Sequence, residues 1–268
     1  MGITGGLGGV IFDLGSTLIR FAGDWPDTLQ RSHQALYDSL IQSGLELDRT
    51  PFLEKFQDEM EQSYRQRELD QIEQPAADVL CRALRRLGLS QPSAKVVETA
   101  MEAMFRESEQ YWQPMPDSRV ALDVLAQLGL RLGLISNASD AANVRRLVAK
   151  AGLTGYFDPA LISAEVGYRK PAPAIFKPLL DQWQLPPYAL VMVGDMLDAD
   201  ILGARGVGMH QIWLTADIDP RQFSAQAARI QPEFSAASLM EAVELIRGMV
   251  PPLADGNVGR KTQGYISG

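Results

Sequence analysis

Asp13 ends a short apolar run, Val10-Ile11-Phe12, and the small residues Gly15 and Ser16 follow before Thr17 and Leu18 resume the apolar pattern. A buried strand that stops on an acid delivers a carboxylate to the loop at its C-terminal end, a common place for catalysis in α/β proteins. Three other stretches set polar groups in similar positions. "LGLISNAS" ends a second run on Ser136 and Asn137, and "GYRKPAPAIF" carries Lys170 before a proline-marked helix start. "VMVGDMLDADILGARGVGM" ends a third run on Gly194-Asp195, with Asp198 and Asp200 close behind. Taken singly, each has an ordinary explanation. A serine after a strand caps a helix, a lone lysine faces solvent, and Asp200 caps a helix beginning near Ile201.

The elements that must hold these groups are legible around them. After "PMPDS", the runs "RLGLIS", "PALIS", "ALVMVG" and "HQIWLT" read as strands. Between them, "AANVRRLVAKAGL", "APAIFKPLLDQWQL" and "ADILGARGVG" read as helices. Such alternation makes βαβ units and a parallel sheet. The run Gly9 to Phe12 has no neighbouring strand until this region, so it joins the same sheet.

From Asp27 to about Trp112 the pattern is helical instead. Phe52, Phe56 and Met60 recur every four residues behind Thr50-Pro51, and Leu29, Leu36 and Leu40 make a stripe ended by Gly44. Val79, Leu80, Ala83, Leu84 and Leu87 make another, ended by Gly88, and Val97, Met101, Met104 and Phe105 mark a fourth helix from Ser93. The expected organisation is a doubly wound, three-layer α/β core of Rossmann-like type, formed by residues 9–20 and 113–250. A helical insertion occupies 21–112, a flexible lead 1–8, and a Pro- and Gly-rich extended or disordered tail 251–268.

Composition bounds the function. The 268 residues are enough for a full α/β core with a smaller second unit. A net charge of −8 argues against a nucleic-acid surface, because phosphate backbones need a basic face. No apolar run reaches the ~18 residues of a membrane span. The opening "MGITGGLGG" lacks a basic and an apolar region and reads as a lead-in rather than a signal peptide. Cys81 is the only cysteine, so a reducing cytoplasm is the expected setting, with Cys81 itself a small core hydrophobe.

In this order, with a helical insertion after the first, the four places resemble the haloacid dehalogenase superfamily, and most of all its phosphatase-type members with a helical cap. The resemblance spans roughly residues 9 to 215 and is most specific at "VGDMLDAD". It implies a hydrolase of small phosphorylated substrates in which Asp13 attacks phosphorus and forms an aspartyl-phosphate. It implies Mg²⁺ held by Asp13, Asp195 and the carbonyl of Gly15, with Asp200 as ligand or supporting partner. Ser136 would hydrogen-bond a phosphoryl oxygen, and Lys170 would neutralise Asp13 and the phosphate together. Leu14, Gly15, Ser136, Asn137 and Lys170 form the implied phosphate-binding set. The family does not fix the position of Asp198. Asp24, Trp25, His33, Arg65 and Arg67 in the insertion are candidate readers of the leaving group.

Gly15 departs from that pattern. The family usually has an acid there, which protonates the leaving oxygen and then helps water attack the aspartyl-phosphate. Glycine does neither, although its carbonyl and N–H can still bind. General acid–base catalysis contributes ~10²–10⁴-fold, against accelerations of up to ~10²¹-fold for phosphate monoesters, so its loss need not abolish the reaction. Three alternatives stay open on the sequence. They are a non-catalytic phosphate-ligand binder, a 2-haloacid dehalogenase needing no metal, and a phosphonate hydrolase using Lys55 or Lys95. The substrate and the oligomeric state are not legible.

Overall fold

Every residue of β1, Gly9–Phe12, is buried, as a strand covered on both faces requires. The structure, a computed structural model, describes residues 6–250. The expected tail at 251–268 and the first five residues of the lead lie outside the described residues. After β1 the chain forms β2 (Ile19–Phe21) and four helices: α1 (Trp25–Gln42), α2 (Arg49–Asp70), α3 (Ala76–Arg86) and α4 (Ala94–Glu109). It then continues through β3 (Trp112–Pro114), α5 (Ser118–Gln127), β4 (Arg131–Ser136), α6 (Ala141–Lys150), β5 (Ala160–Ile162), α7 (Ser163–Val166) and α8 (Pro173–Trp183). The last elements are β6 (Leu190–Gly194), a π-helical turn (Leu197–Ile201) leading into α9 (Leu202–Gly206), β7 (His210–Leu214), α10 (Ser224–Ile230), β8 (Phe234–Ala236) and α11 (Leu239–Met249).

The main sheet has six parallel strands in the order β5-β4-β1-β6-β7-β8. β1 lies between β4, with Phe12 beside Leu134, and β6, with Phe12 beside Val193. Alternation along β1 divides the core into two layers. Val10 and Phe12 pack with Leu122, Leu125, Leu147, Val243 and Ile246, from helices on one face. Ile11 faces the other side, with Ile175, Phe176, Leu179 and Trp183 of α8. This is the three-layer, doubly wound architecture expected from the strand–helix alternation.

The inserted helices have a core of their own, in which Leu36, Leu40, Phe52, Phe56, Val79, Leu80, Leu84 and Met101 are buried together. Cys81 packs partly buried against it. Gly44 and Gly88 follow α1 and α3 at φ of 87° and 78°, backbone that glycine adopts without a side-chain clash. Asp48, rather than Thr50, precedes α2, and Pro51 falls inside its first turn. The periodicity did not mark β2 and β3, which pair antiparallel with Phe21 beside Trp112. This ribbon is the joint through which the chain enters and leaves the helical block.

Candidate active site

Parallel strands end at one edge, and this strand order reverses direction between β1 and β6. Open α/β sheets bind ligands at such a switch point, outside the carboxyl ends of the strands. Asp13 follows β1 there and Asp195 follows β6, while Ser136 ends the neighbouring β4. The Asp13 amide donates to the Val193 carbonyl at 3.0 Å, and the Asp195 carbonyl accepts the Trp213 indole N–H at 2.9 Å. Both aspartates are thus tied to the sheet through their backbones.

Lys170 is the centre of the arrangement. Its Nζ lies 2.5 Å from Asp13 Oδ1, 2.7 Å from Asp200 Oδ1 and 2.6 Å from the Ile135 carbonyl. The contacts to Asp13 and Ile135 are hydrogen bonds, and that to Asp200 is an ion pair. The side chains of Lys170 and Asp200 are each 1% exposed, and that of Asp13 13%. Asn137 holds the Lys170 backbone from both sides. Its Nδ2 donates to the Lys170 carbonyl at 2.9 Å, and its Oδ1 accepts the Lys170 N–H at 2.8 Å. Asp200 Oδ2 accepts the Met196 amide at 2.9 Å, and its Oδ1 is held by the charge of Lys170. Asp200 thus braces Lys170 against the loop after β6.

One ammonium faces three carboxylates. Oxygens of Asp13, Asp195 and Asp200 lie within 4.8 Å of one another. Burial, with Asp200 reinforcing it against the pull of Lys170, raises the Asp13 carboxyl to about 6. Burial and the charges of Asp13 and Asp200 raise Asp195 to about 8. Burial alone would lower the Lys170 ammonium, but the two carboxylates outweigh it and leave it above its ordinary value. A second cation would relieve this excess of negative charge, and an all-oxygen donor set suits Mg²⁺. The residues present fit such an ion.

Around this centre, Gly15 lies against an aromatic wall. A Cβ placed on Gly15 would meet Trp112 Cη2 at 3.6 Å and Cζ3 at 3.8 Å, ordinary contact distances. Trp112 packs on Phe21, which also stacks edge-on with Trp25 at 4.9 Å between ring centroids. Ser16 has φ of 52°, in the left-handed region that favours glycine.

Beyond the wall, a cavity of about 320 Å³ lies between the helical block and the loop after β4. Trp25, Leu29, Met60, Tyr64, Met104 and Phe105 supply its apolar surface, with Asn137 and Asn143 on the sheet side. Of the candidate readers, Trp25, His33 and Arg67 line this cavity. Asp24 instead caps α1, accepting the Asp27 amide at 2.9 Å, and Arg65 is exposed beside Glu61. Lys55 and Lys95 pair with Asp58 and Glu98 along their own helices. Asp198 points outward to Gln226 and Arg229. Sequence reasoning missed Trp112 and Glu73; the latter is buried where the loop before α3 meets the core.

The model of the haloacid dehalogenase-like hydrolases matches residues 7–208. The chain belongs to this family. Among its relatives, a glyceraldehyde 3-phosphate phosphatase of Methanopyrus kandleri is 32% identical over 52% of this chain and 60% of its own length. A phosphoserine phosphatase of Thermus thermophilus is 36% identical over 44% of this chain and 47% of its own. The chain thus spans about half the length of the relatives it matches. Among solved structures, a 2-haloacid dehalogenase from Pseudomonas syringae aligns with a TM-score of 0.65 at 25% identity, over 90% of this chain and 99% of that one. A haloacid dehalogenase-type phosphatase from Thermococcus onnurineus aligns with a TM-score of 0.59 at 21% identity, over 91% and 100%. No helix of the described residues is long and apolar enough to cross a membrane.

Proposed function

We propose that the chain is a Mg²⁺-dependent phosphatase of small phosphorylated compounds that works through an aspartyl-phosphate on Asp13. The observation that carries this reading is the cluster of Asp13, Asp195 and Asp200 around a single Lys170. Asp13 and Asp195, with the Gly15 carbonyl, would hold the ion, and Asp200 supports the set from behind. When bound, Mg²⁺ supplies positive charge between an anionic nucleophile and an anionic phosphate.

The chain's own residues do the rest. An Asp13 oxygen attacks phosphorus, the P–O bond to the leaving group breaks, and its electron pair departs with that oxygen. Lys170 holds Asp13 in line and offsets charge gathering on the phosphoryl oxygens, to which Ser136 donates from the end of β4. Water then attacks the aspartyl-phosphate, releasing inorganic phosphate and restoring Asp13. Residue 15 provides no proton for the leaving oxygen, which favours leaving groups stable as anions. The helical block acts as the cap, and its cavity receives the organic part of the substrate.

Hydrolysis of a panel of phosphorylated metabolites, with Mg²⁺ and with excess chelator, tests the reading. Chelator-sensitive phosphate release is expected, and binding without release would make the chain a phosphate-ligand binder. A second reading, hydrolytic dehalogenation, has one observation in its favour: halide needs no proton to leave, as Gly15 would allow. Halide release from a 2-haloacid in excess chelator would favour it over the phosphatase.

A further inference from the structure

Glu73 lies in the connection between α2 and α3, within "QIEQP", a stretch whose composition reads as a solvated loop. Its side chain is 0% exposed. One carboxylate oxygen accepts the Ser163 hydroxyl at 2.6 Å and stands 3.3 Å from Arg169 Nη1. The other stands 3.4 Å from Arg67 Nη1 and accepts the Gln74 amide at 3.1 Å. A carboxylate fully withdrawn from water is costly unless paired and hydrogen-bonded. Two arginines, a hydroxyl and an amide meet that requirement. Burial and the adjacent Arg67 pull the Arg169 guanidinium below its ordinary value, and Glu73 opposes them.

The partners come from places that matter to the site. Arg67 belongs to the helical block, whereas Ser163 and Arg169 belong to the core. Arg169 immediately precedes Lys170. The Ser163 hydroxyl accepts the Ala138 amide at 2.8 Å, two residues past Ser136. Backbone bonds reinforce both attachments. Glu73 N donates to the Gly167 carbonyl at 3.0 Å, Arg169 N to the Gln71 carbonyl at 3.0 Å, and Ala76 N to the Ser139 carbonyl at 2.9 Å.

We propose that Glu73 is a positioning residue of the hydrolytic site, a buried carboxylate through which the helical block fixes the loops that carry Lys170 and follow Ser136. Docking of the block and alignment of the ammonium on Asp13 are then one event. This rests on the phosphatase reading above, because it takes the Lys170–Asp13 contact as catalytic. Glu73 touches neither substrate nor reacting atoms in this arrangement. Its effect falls on turnover rather than on affinity for a small substrate.

The test compares wild type with Glu73→Gln and Glu73→Asp, using p-nitrophenyl phosphate with Mg²⁺ at a temperature where all three are folded. Hydrogen exchange at the Arg169 and Lys170 amides is read alongside. Misplacement by about 1 Å costs on the order of 10²-fold, so kcat of Glu73→Gln should fall roughly 10–100-fold with KM nearly unchanged. Exchange at both amides should quicken, and Glu73→Asp, which keeps the charge, should recover part of both. Unchanged kcat, or a change confined to KM, overturns the proposal, as does unaltered exchange. If Glu73→Gln does not fold, Ser163→Ala, which removes one core partner, must show the same lowered kcat and quickened exchange in smaller degree, or the proposal falls. Should wild type release phosphate from no ester, the phosphatase reading fails on its own account. The exchange measurement then still decides whether Glu73 fixes the Lys170 loop.

Discussion

Trp112 Cη2 sits 3.6 Å from the point where a side chain on Gly15 would begin. An aspartate therefore fits at residue 15 without a clash at Cβ, and its carboxyl must extend past the indole edge. Gly15→Asp should raise hydrolysis of alkyl phosphates more than that of aryl or acyl phosphates, since an alkoxide needs a proton in the transition state. The selective gain should approach ~10²-fold where the new acid comes within hydrogen-bond reach of the leaving oxygen. Initial rates for one alkyl and one aryl ester, in wild type and variant, measure it. Rapid alkyl turnover by wild type with no gain in the variant would mean that another group supplies the proton.

Asp195→Asn removes one of three carboxylates crowded around one ammonium. The metal-free variant should melt at a higher temperature than metal-free wild type, because a buried like-charge contact is gone. Added Mg²⁺ should raise the midpoint of wild type, as any ligand selective for the folded state does, and scarcely move the variant. Turnover should nearly vanish. Equal Mg²⁺ responses in the two proteins would take Asp195 out of the ion site.

Asp13→Asn replaces a carboxylate with a far weaker nucleophile. Phosphate release should fall to background, and no hydroxylamine-sensitive phosphoprotein should be trapped by acid quench. A wild type that turns over without ever yielding such an adduct points to direct attack by water.

His33 meets the Phe56 ring edge-on, with 5.4 Å between centroids. Burial lowers its imidazole from the ordinary 6.5. The unfolded chain then takes up the proton more readily than the folded one. This residue's contribution is intact above about pH 6.5 and lost as pH falls below it. The melting temperature of His33→Leu, minus that of wild type, should therefore grow as pH drops from 7.5 to 5. A difference independent of pH would contradict this.

The strands that carry Asp13, Ser136 and Asp195 were legible because each is a short apolar run ending on a polar residue. Lys170 had no such signal of its own, and its role followed only from the order of the four motifs, which resembles that of the family. What stayed hidden depends on contacts distant in sequence. The three-residue strands Ile19–Phe21 and Trp112–Pro114 have too few side chains to show a period, and only their pairing makes them strands. Phe234–Ala236 is equally short. Glu73 stands among glutamines, and no local pattern signals that Arg67, Arg169 and Ser163 converge on it. Asn137, expected in the phosphate-binding set, uses its side-chain amide on the Lys170 backbone, a contact no local pattern signals.

The β2–β3 ribbon has a consequence for how such a chain can be rebuilt. Phe21 pairs with Trp112, and the Ala22 amide still reaches the Tyr111 carbonyl at 2.9 Å, so the excursion leaves and returns through adjacent residues. Facing strand residues are only about 5 Å apart, a gap that a two-residue turn closes. The helical block is thus a cassette between two neighbouring splice points. Exchange of everything between Ala22 and Tyr111 for a block from another chain should leave the register of β1, and with it the place of Asp13, unchanged. Near-ultraviolet circular dichroism of such a chimera would report whether Trp183 and Trp213, which lie outside the cassette, keep their native surroundings.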